Sequence, residues 1–120
     1  MKVAIAAMGT DLASRMDPRF GRAKYFMVVA TATNVAVAHD NAQNLNAAQG
    51  AGIQAAETVV RLGAEAVISG NVGPKAYRVL QAAGIKVYLA PAGTVAEALG
   101  GLAADTLKEA SSANVDGHWA

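Results

Sequence analysis

The chain opens on an almost unbroken apolar run, Lys2 to Met8, the pattern of a strand buried on both faces. A polar, charged stretch follows from Gly9 to Ala23, and it holds Asp17-Pro18-Arg19-Phe20-Gly21-Arg22. Lys24 to Ala30 is apolar again and predicts a second strand. Thr31 to Asn34 reads as a turn, and the weak alternation of Val35 to Asp40 predicts a third strand hairpinned to the second. Beyond a loop rich in Asn, Gln and Ala, the period changes. Ile53, Ala56, Val60 and Leu62 or Gly63 fall near one face of a helix. Ala-Val-Ile-Ser at the centre of residues 65–70 predicts a fourth strand. Gly73-Pro74 opens a second helix whose apolar face is Ala76, Val79, Leu80 and Ala83, with Gly84 as its stop. Ile85 to Leu89 is a fifth strand. Thr94 with Glu97 makes a capping box for a third helix through Val95, Ala98 and Leu99.

The order is βββαβαβα, an α/β arrangement in one domain over residues 1–102, with a polar tail over 103–120. Strand–helix alternation in the second half predicts parallel pairing with right-handed crossovers, and the hairpin adds an antiparallel element. A five-stranded mixed sheet flanked by helices is expected. In the tail, His118 and Trp119 allow two readings: packed onto the domain, or flexible near the site.

At 120 residues the chain supplies one core, and its 53% hydrophobic content argues against disorder except at the ends. Ten Lys and Arg against nine Asp and Glu give a net charge of +1, which supports neither general nucleic-acid binding nor attachment to a membrane surface. The apolar runs are too short to span a bilayer. The Met-Lys-Val-Ala-Ile-Ala-Ala start meets Gly9 and Asp11 too early for a signal peptide, so a cytoplasmic protein is expected. There is no cysteine, which excludes disulfides and thiolate-held metals. A bound cluster would have to bring its own sulfur.

Ligands of open α/β sheets gather outside the carboxyl ends of the strands. Four segments should meet there: the loop after strand one, the entry to the first helix, Gly70 to Lys75, and Pro91 to Thr94. Three of them lead into helix N-termini, which favour anions. The 9–23 loop adds Arg15, Arg19 and Arg22, with Lys24 beyond, against Asp11 and Asp17. Asp17 orienting Arg19 or Arg22 is the competing assignment, and Phe20 reads as a hydrophobic plug. Gly50-Ala51-Gly52-Ile53-Gln54-Ala55 matches G-x-G-x-x-G/A, yet it follows a polar loop and lacks the acidic residue that would hold a ribose. Gly70 to Lys75 has the wrong spacing for a phosphate-binding Walker loop. His39 is the one candidate metal ligand, and no second His stands at ligand spacing. Asp11, Asp17 and Asp40 show no convergent pattern for a two-metal nuclease. Ser14, Ser69, Ser111 and Ser112 carry no nucleophile signature, and Met8 and Met16 read as core before they read as soft donors. No catalytic residue is expected.

Several motifs occur together and in order. They are Asp17-Pro18-Arg19-Phe20-Gly21-Arg22-Ala23 with Tyr25-Phe26, Gly50-Ala51-Gly52-Ile53, Gly70-Asn71-Val72-Gly73-Pro74-Lys75-Ala76, Gly84-Ile85-Lys86-Val87-Tyr88, and Gly93-Thr94-Val95 with Glu97-Ala98-Leu99. Over roughly residues 1–100 the chain thereby resembles the dinitrogenase iron–molybdenum cofactor biosynthesis family. The resemblance implies a ribonuclease H-like fold whose second strand is antiparallel. It implies a carrier or scaffold, not an enzyme, with cluster-synthesis or acceptor proteins as partners. Closest in character are the orange proteins, which hold a molybdenum–copper sulfide cluster without covalent attachment. Some relatives carry histidines before the Gly50 position; here residues 41–49 read Asn-Ala-Gln-Asn-Leu-Asn-Ala-Ala-Gln. Hydrogen bonding to the sulfides of a molybdenum-containing cluster, with copper or iron as second metal, is thereby favoured over ligation. On this reading Arg15, Arg19, Arg22 and Lys75 supply charge, and the amides around Gly52 and Gly73 supply directed donors. Gln49 and Asn71 add side-chain amides, and Ala51, Ile53 and Val72 an apolar wall. A regulatory or adaptor module without cargo is the rival reading, and a phosphate-dependent enzyme a third.

Overall fold

The structure, a computed structural model, describes residues 1–41 and 50–111. Gln49, Ser112, His118 and Trp119 lie outside them. The described elements are β1 (Lys2–Ala7), β2 (Tyr25–Ala30), β3 (Val35–Asp40), α1 (Ala51–Arg61), β4 (Ala66–Ser69), α2 (Pro74–Ala82), β5 (Lys86–Leu89), α3 (Val95–Ala103) and β6 (Lys108–Glu109). They form one mixed sheet in the order β3-β2-β1-β4-β5-β6. β1, β4 and β5 are parallel, whereas β2 runs against both β1 and β3, and β6 against β5.

The expected count of five strands is corrected to six. β6 is two exposed, charged residues inside the segment read as tail, and so short a polar edge leaves no apolar period to detect. It is nonetheless tied in. Ala110 N–H donates to Val87 O at 2.8 Å, and the Tyr77 hydroxyl donates to Ala110 O at 3.1 Å. No helix among the described residues is long and apolar enough to cross a membrane.

Alternation along β1 divides the core. Ala4 and Ala6 face α1 and α2, while Val3, Ile5 and Ala7 face α3. Small residues on the first face let two helices sit close to the sheet. Phe20 fills the space near the loop, fully buried, its ring centroid 5.2 Å from that of Phe26. The plug expected at Phe20 is thus what the fold uses.

The face of α2 is largely the expected one, whereas that of α1 keeps Ala56 and is otherwise turned. α1 buries Ala51, Gly52, Ala55, Ala56 and Val59, and leaves Val60 40% exposed. α2 buries Ala76 and Leu80, with Val79 half-buried and Ala83 exposed. On α1 an alanine-lined contact permits closer approach than one lined by larger side chains, so Ile53 and Val60 sit towards the rim. α3 carries its expected capping box, with Glu97 N–H donating to Thr94 Oγ1 at 3.1 Å and Thr94 N–H to Glu97 Oε1 at 2.8 Å.

Candidate functional site

Parallel pairing brings the ends of β1, β4 and β5, at Ala7, Ser69 and Leu89, to one edge of the molecule. β3 ends there too, because two antiparallel steps separate it from β1. The 9–23 loop runs back across this edge and is stitched to it. Met8 N–H donates to Arg15 O at 2.9 Å and Asp17 N–H to Ala6 O at 2.8 Å, which continues the sheet by one bridge. Met16 N–H then donates to Gly93 O at 2.8 Å, joining the loop to the segment after β5.

The centre of the stitching is the Pro18 carbonyl. It accepts from Asn71 N–H at 2.7 Å, from Asn71 Nδ2 at 3.3 Å and from the Ser69 hydroxyl at 3.3 Å. Phe20 N–H returns a bond to Asn71 O at 3.2 Å. Gly70 is required by this approach. A Cβ there would stand 3.0 Å from Pro18 Cα and 3.1 Å from its carbonyl oxygen, both backbone atoms. The far end of the loop is pinned by buried Asn41, whose Nδ2 donates to Ala23 O at 2.8 Å.

Next to Pro18, Asp17 is 2% exposed and accepts from Arg19 N–H at 2.9 Å and from Arg19 Nε at 3.4 Å. The orienting role of Asp17 therefore falls to Arg19. A buried carboxylate holds one edge of the guanidinium, and its two terminal nitrogens have no acceptor among the described residues. Arg19 forms a backbone bridge with Asn71, so loop 9–23 and loop 70–73 present their polar groups together.

Of the three helix N-termini expected to favour anions, one is already filled. In α3, Val95 N–H donates to Ser14 O and Ala96 N–H to Leu12 O, both at 2.9 Å, and the capping box takes Glu97 N–H. The other two are uncapped by side chains. Gly50 adopts φ 81°, which a glycine tolerates, and the amides of Ala51, Gly52 and Ile53 have no acceptor among the described residues. At α2, Gly73 is the cap and Pro74 brings no N–H. That leaves the amides of Lys75 and Ala76 without an acceptor among the described residues.

Arg19, Asn71 and Gly73 thus belong to one joined pair of loops, and Ile53 and Lys75 line one hollow at the starts of α1 and α2. Arg15 stands apart, bridged to Thr94 at the entrance of α3 on the other face of the sheet. Arg22 is half-buried and engaged within the fold. Ala51, Gly52, Val72 and Gly73 are buried. His39 is half-buried on edge strand β3, paired with Phe26, and among the described residues no three His, Asp or Glu gather to hold a metal ion. Asp11 accepts from the Ser14 hydroxyl at 3.1 Å in a local turn, away from the Asp17–Arg19 pair. Met16 is core, but Met8 is 45% exposed at the rim, against the expectation that both are buried. Ser69 and Asn41 went unrecognised as clamps, because nothing local distinguishes a Ser that closes an apolar strand from one that bonds a distant carbonyl.

Over residues 1–105 the chain matches the family model described as dinitrogenase iron-molybdenum cofactor. The apo orange protein of Desulfovibrio gigas is 40% identical and superposes with a TM-score of 0.92 over 95% of this chain and 96% of that one. The NMR structure of a Thermotoga protein of the DUF35 family gives 35% identity and a TM-score of 0.84, covering 97% and 98% of the two chains. An uncharacterized protein of Methanocaldococcus jannaschii is 33% identical over 88 residues, 72% of this chain and 75% of that one.

Proposed function

Because the chain belongs to the dinitrogenase iron-molybdenum cofactor family, we propose that it binds and carries an anionic metal–sulfur cluster, one containing molybdenum with copper or iron as second metal. The observation that carries this is Arg19, fixed on one side by buried Asp17 and bridged to Asn71 in the loop that enters the uncapped start of α2, which shares a hollow with the uncapped start of α1. Backbone amides on buried residues are costly when unpaired, and an anion's lone pairs would satisfy those that have no acceptor among the described residues. The cluster is cargo, brought with its own sulfide. Arg19 and Lys75 would provide charge, with Arg22 at the flank and Arg15 left out by its place at α3. The amides of Gly52 and Lys75 would donate to sulfides, Asn71 and Gln49 would add side-chain donors, and Ala51, Ile53 and Val72 would exclude water. No ligation by His39 and no catalytic step is required, and such a carrier would work in the cytoplasm. The β3-β2-β1-β4-β5 order, with β2 antiparallel, supports a ribonuclease H-like reading without implying nuclease chemistry.

The test is a titration of cluster-free protein with tetrathiomolybdate and Cu(I), followed by visible absorbance and co-elution. A charge-assisted hydrogen bond contributes about 1.5–3 kcal/mol, so Arg19→Ala should weaken binding about tenfold to a hundredfold. A coloured complex that never forms with the unmodified chain would favour the adaptor reading. Full affinity in Arg19→Ala with loss in His39→Ala would replace electrostatic capture by ligation.

A further inference from the structure

The apolar residues that α1 and α2 turn away from the sheet are not scattered. Two open hollows of about 450 and 490 Å³ lie over the pair of helices and share Val79 and Ala82. Ile53 and Val60 continue the floor along α1, and Lys75, Arg78 and Arg61 stand on the rim against a single acid, Glu57. We propose that this groove is a docking surface for an acidic amphipathic helix of a partner protein.

The shape fits that occupant. A groove between two helices accepts the apolar face of a third, read as anchors at i, i+3, i+4 and i+7. With eleven residues in α1, the groove is roughly 16 Å long, about three turns of a partner helix. The charge fits as well. Three cations against one acid is a local excess in a chain with ten basic and nine acidic residues. None of the three cations makes an ion pair among the described residues; Arg61 only donates to Thr58 Oγ1 at 3.2 Å. A second copy meeting this surface about a two-fold axis would set basic rim against basic rim, which disfavours self-association. A flat bilayer would not fill the hollow. The groove begins at Ile53 and Lys75, in the first turns of α1 and α2, so a seated helix would reach the edge where cargo is proposed to bind. The surface is complete without cargo, and the inference stands whether or not that reading holds.

The experiment uses the full, cluster-free chain and fluorescence anisotropy of a labelled helical peptide. The peptide carries Leu at i, i+3, i+4 and i+7 with Glu on both flanks. A twin carries Lys in place of Glu. The acidic peptide should bind and the basic twin should bind at least about tenfold more weakly. Arg61→Glu with Arg78→Glu, both exposed positions, should cost about tenfold through two lost attractions and two new repulsions. Val60→Asp should reduce binding independently. Equal binding of both peptides, or binding indifferent to all three substitutions, would overturn the proposal. So would Val60-dependent dimerisation in sedimentation, or tight association with anionic vesicles in place of the peptide.

Discussion

Pro18 and Gly70 stand far apart in the chain, yet one carbonyl and one missing Cβ decide how the loop lies. Three donors converge on Pro18 O, so its backbone has little freedom to withdraw from a side chain added at Gly70. Gly70→Ala should therefore destabilise the fold by about 1–3 kcal/mol, the range of other overpacked sites, measurable by urea denaturation. Ser69→Ala should cost only about 1 kcal/mol, because Asn71 still supplies two donors to the same oxygen. A fully stable Gly70→Ala protein would show that the loop is looser than this contact implies. The two positions were not legible as a pair. A single sequence carries local spacing, which made Asp17 and Arg19 readable as partners two residues apart. It carries no record of a contact across 53 residues, the span that separates Pro18 from Asn71.

Elements built on apolar runs were readable because their signal is hydrophobic periodicity alone. β1, β2, β4 and β5 are of this kind. The face of α2 was largely readable too, through Ala76 and Leu80, but that of α1 was not, for the reason that alanine dominates the composition. Ala56 was read correctly, but where Ala55 and Val59 compete with Ile53 and Val60, periodicity favours the larger residues, whereas close packing on Ala4 and Ala6 favours the smaller. The filled start of α3 escaped for a different reason. Its acceptors, Leu12 O and Ser14 O, belong to a loop that no local pattern joins to residue 94. That geometry separates structure from cargo in a testable way. Thr94→Ala should lower stability by about 1 kcal/mol through loss of the cap. It should leave cluster affinity unchanged, because the first amides of α3 already have partners. A parallel loss of affinity would place the cargo at α3 instead of α1 and α2.

For the molecule as a whole, net charge is close to zero, so attraction of an anion depends on where the cations stand and not on their number. Long-range attraction of this kind is screened: the Debye length falls from about 8 Å at physiological ionic strength to about 3 Å at 1 M. Cluster affinity should fall with salt, and Arg19→Ala should show a shallower dependence. Binding to the native state alone must also stabilise it, by about 2.7 kcal/mol when cargo is present at about 100 times Kd. For a domain near 100 residues, each kcal/mol raises Tm by roughly 4–8 °C, so a rise of about 10–20 °C is expected. A tenfold to hundredfold loss of affinity would bring the same cargo concentration to between about 10 times Kd and Kd itself. The rise in Arg19→Ala should then shrink to about half or less. Because the arginine is 45% exposed on its side chain, the substitution should change the cargo-free Tm far less than it changes the cargo-induced rise. Differential scanning fluorimetry with and without cluster, at low and high salt, reads both effects in one series. An undiminished rise in Arg19→Ala at both salts would remove the Asp17–Arg19 pair from the site and leave the helix N-termini to hold the cargo.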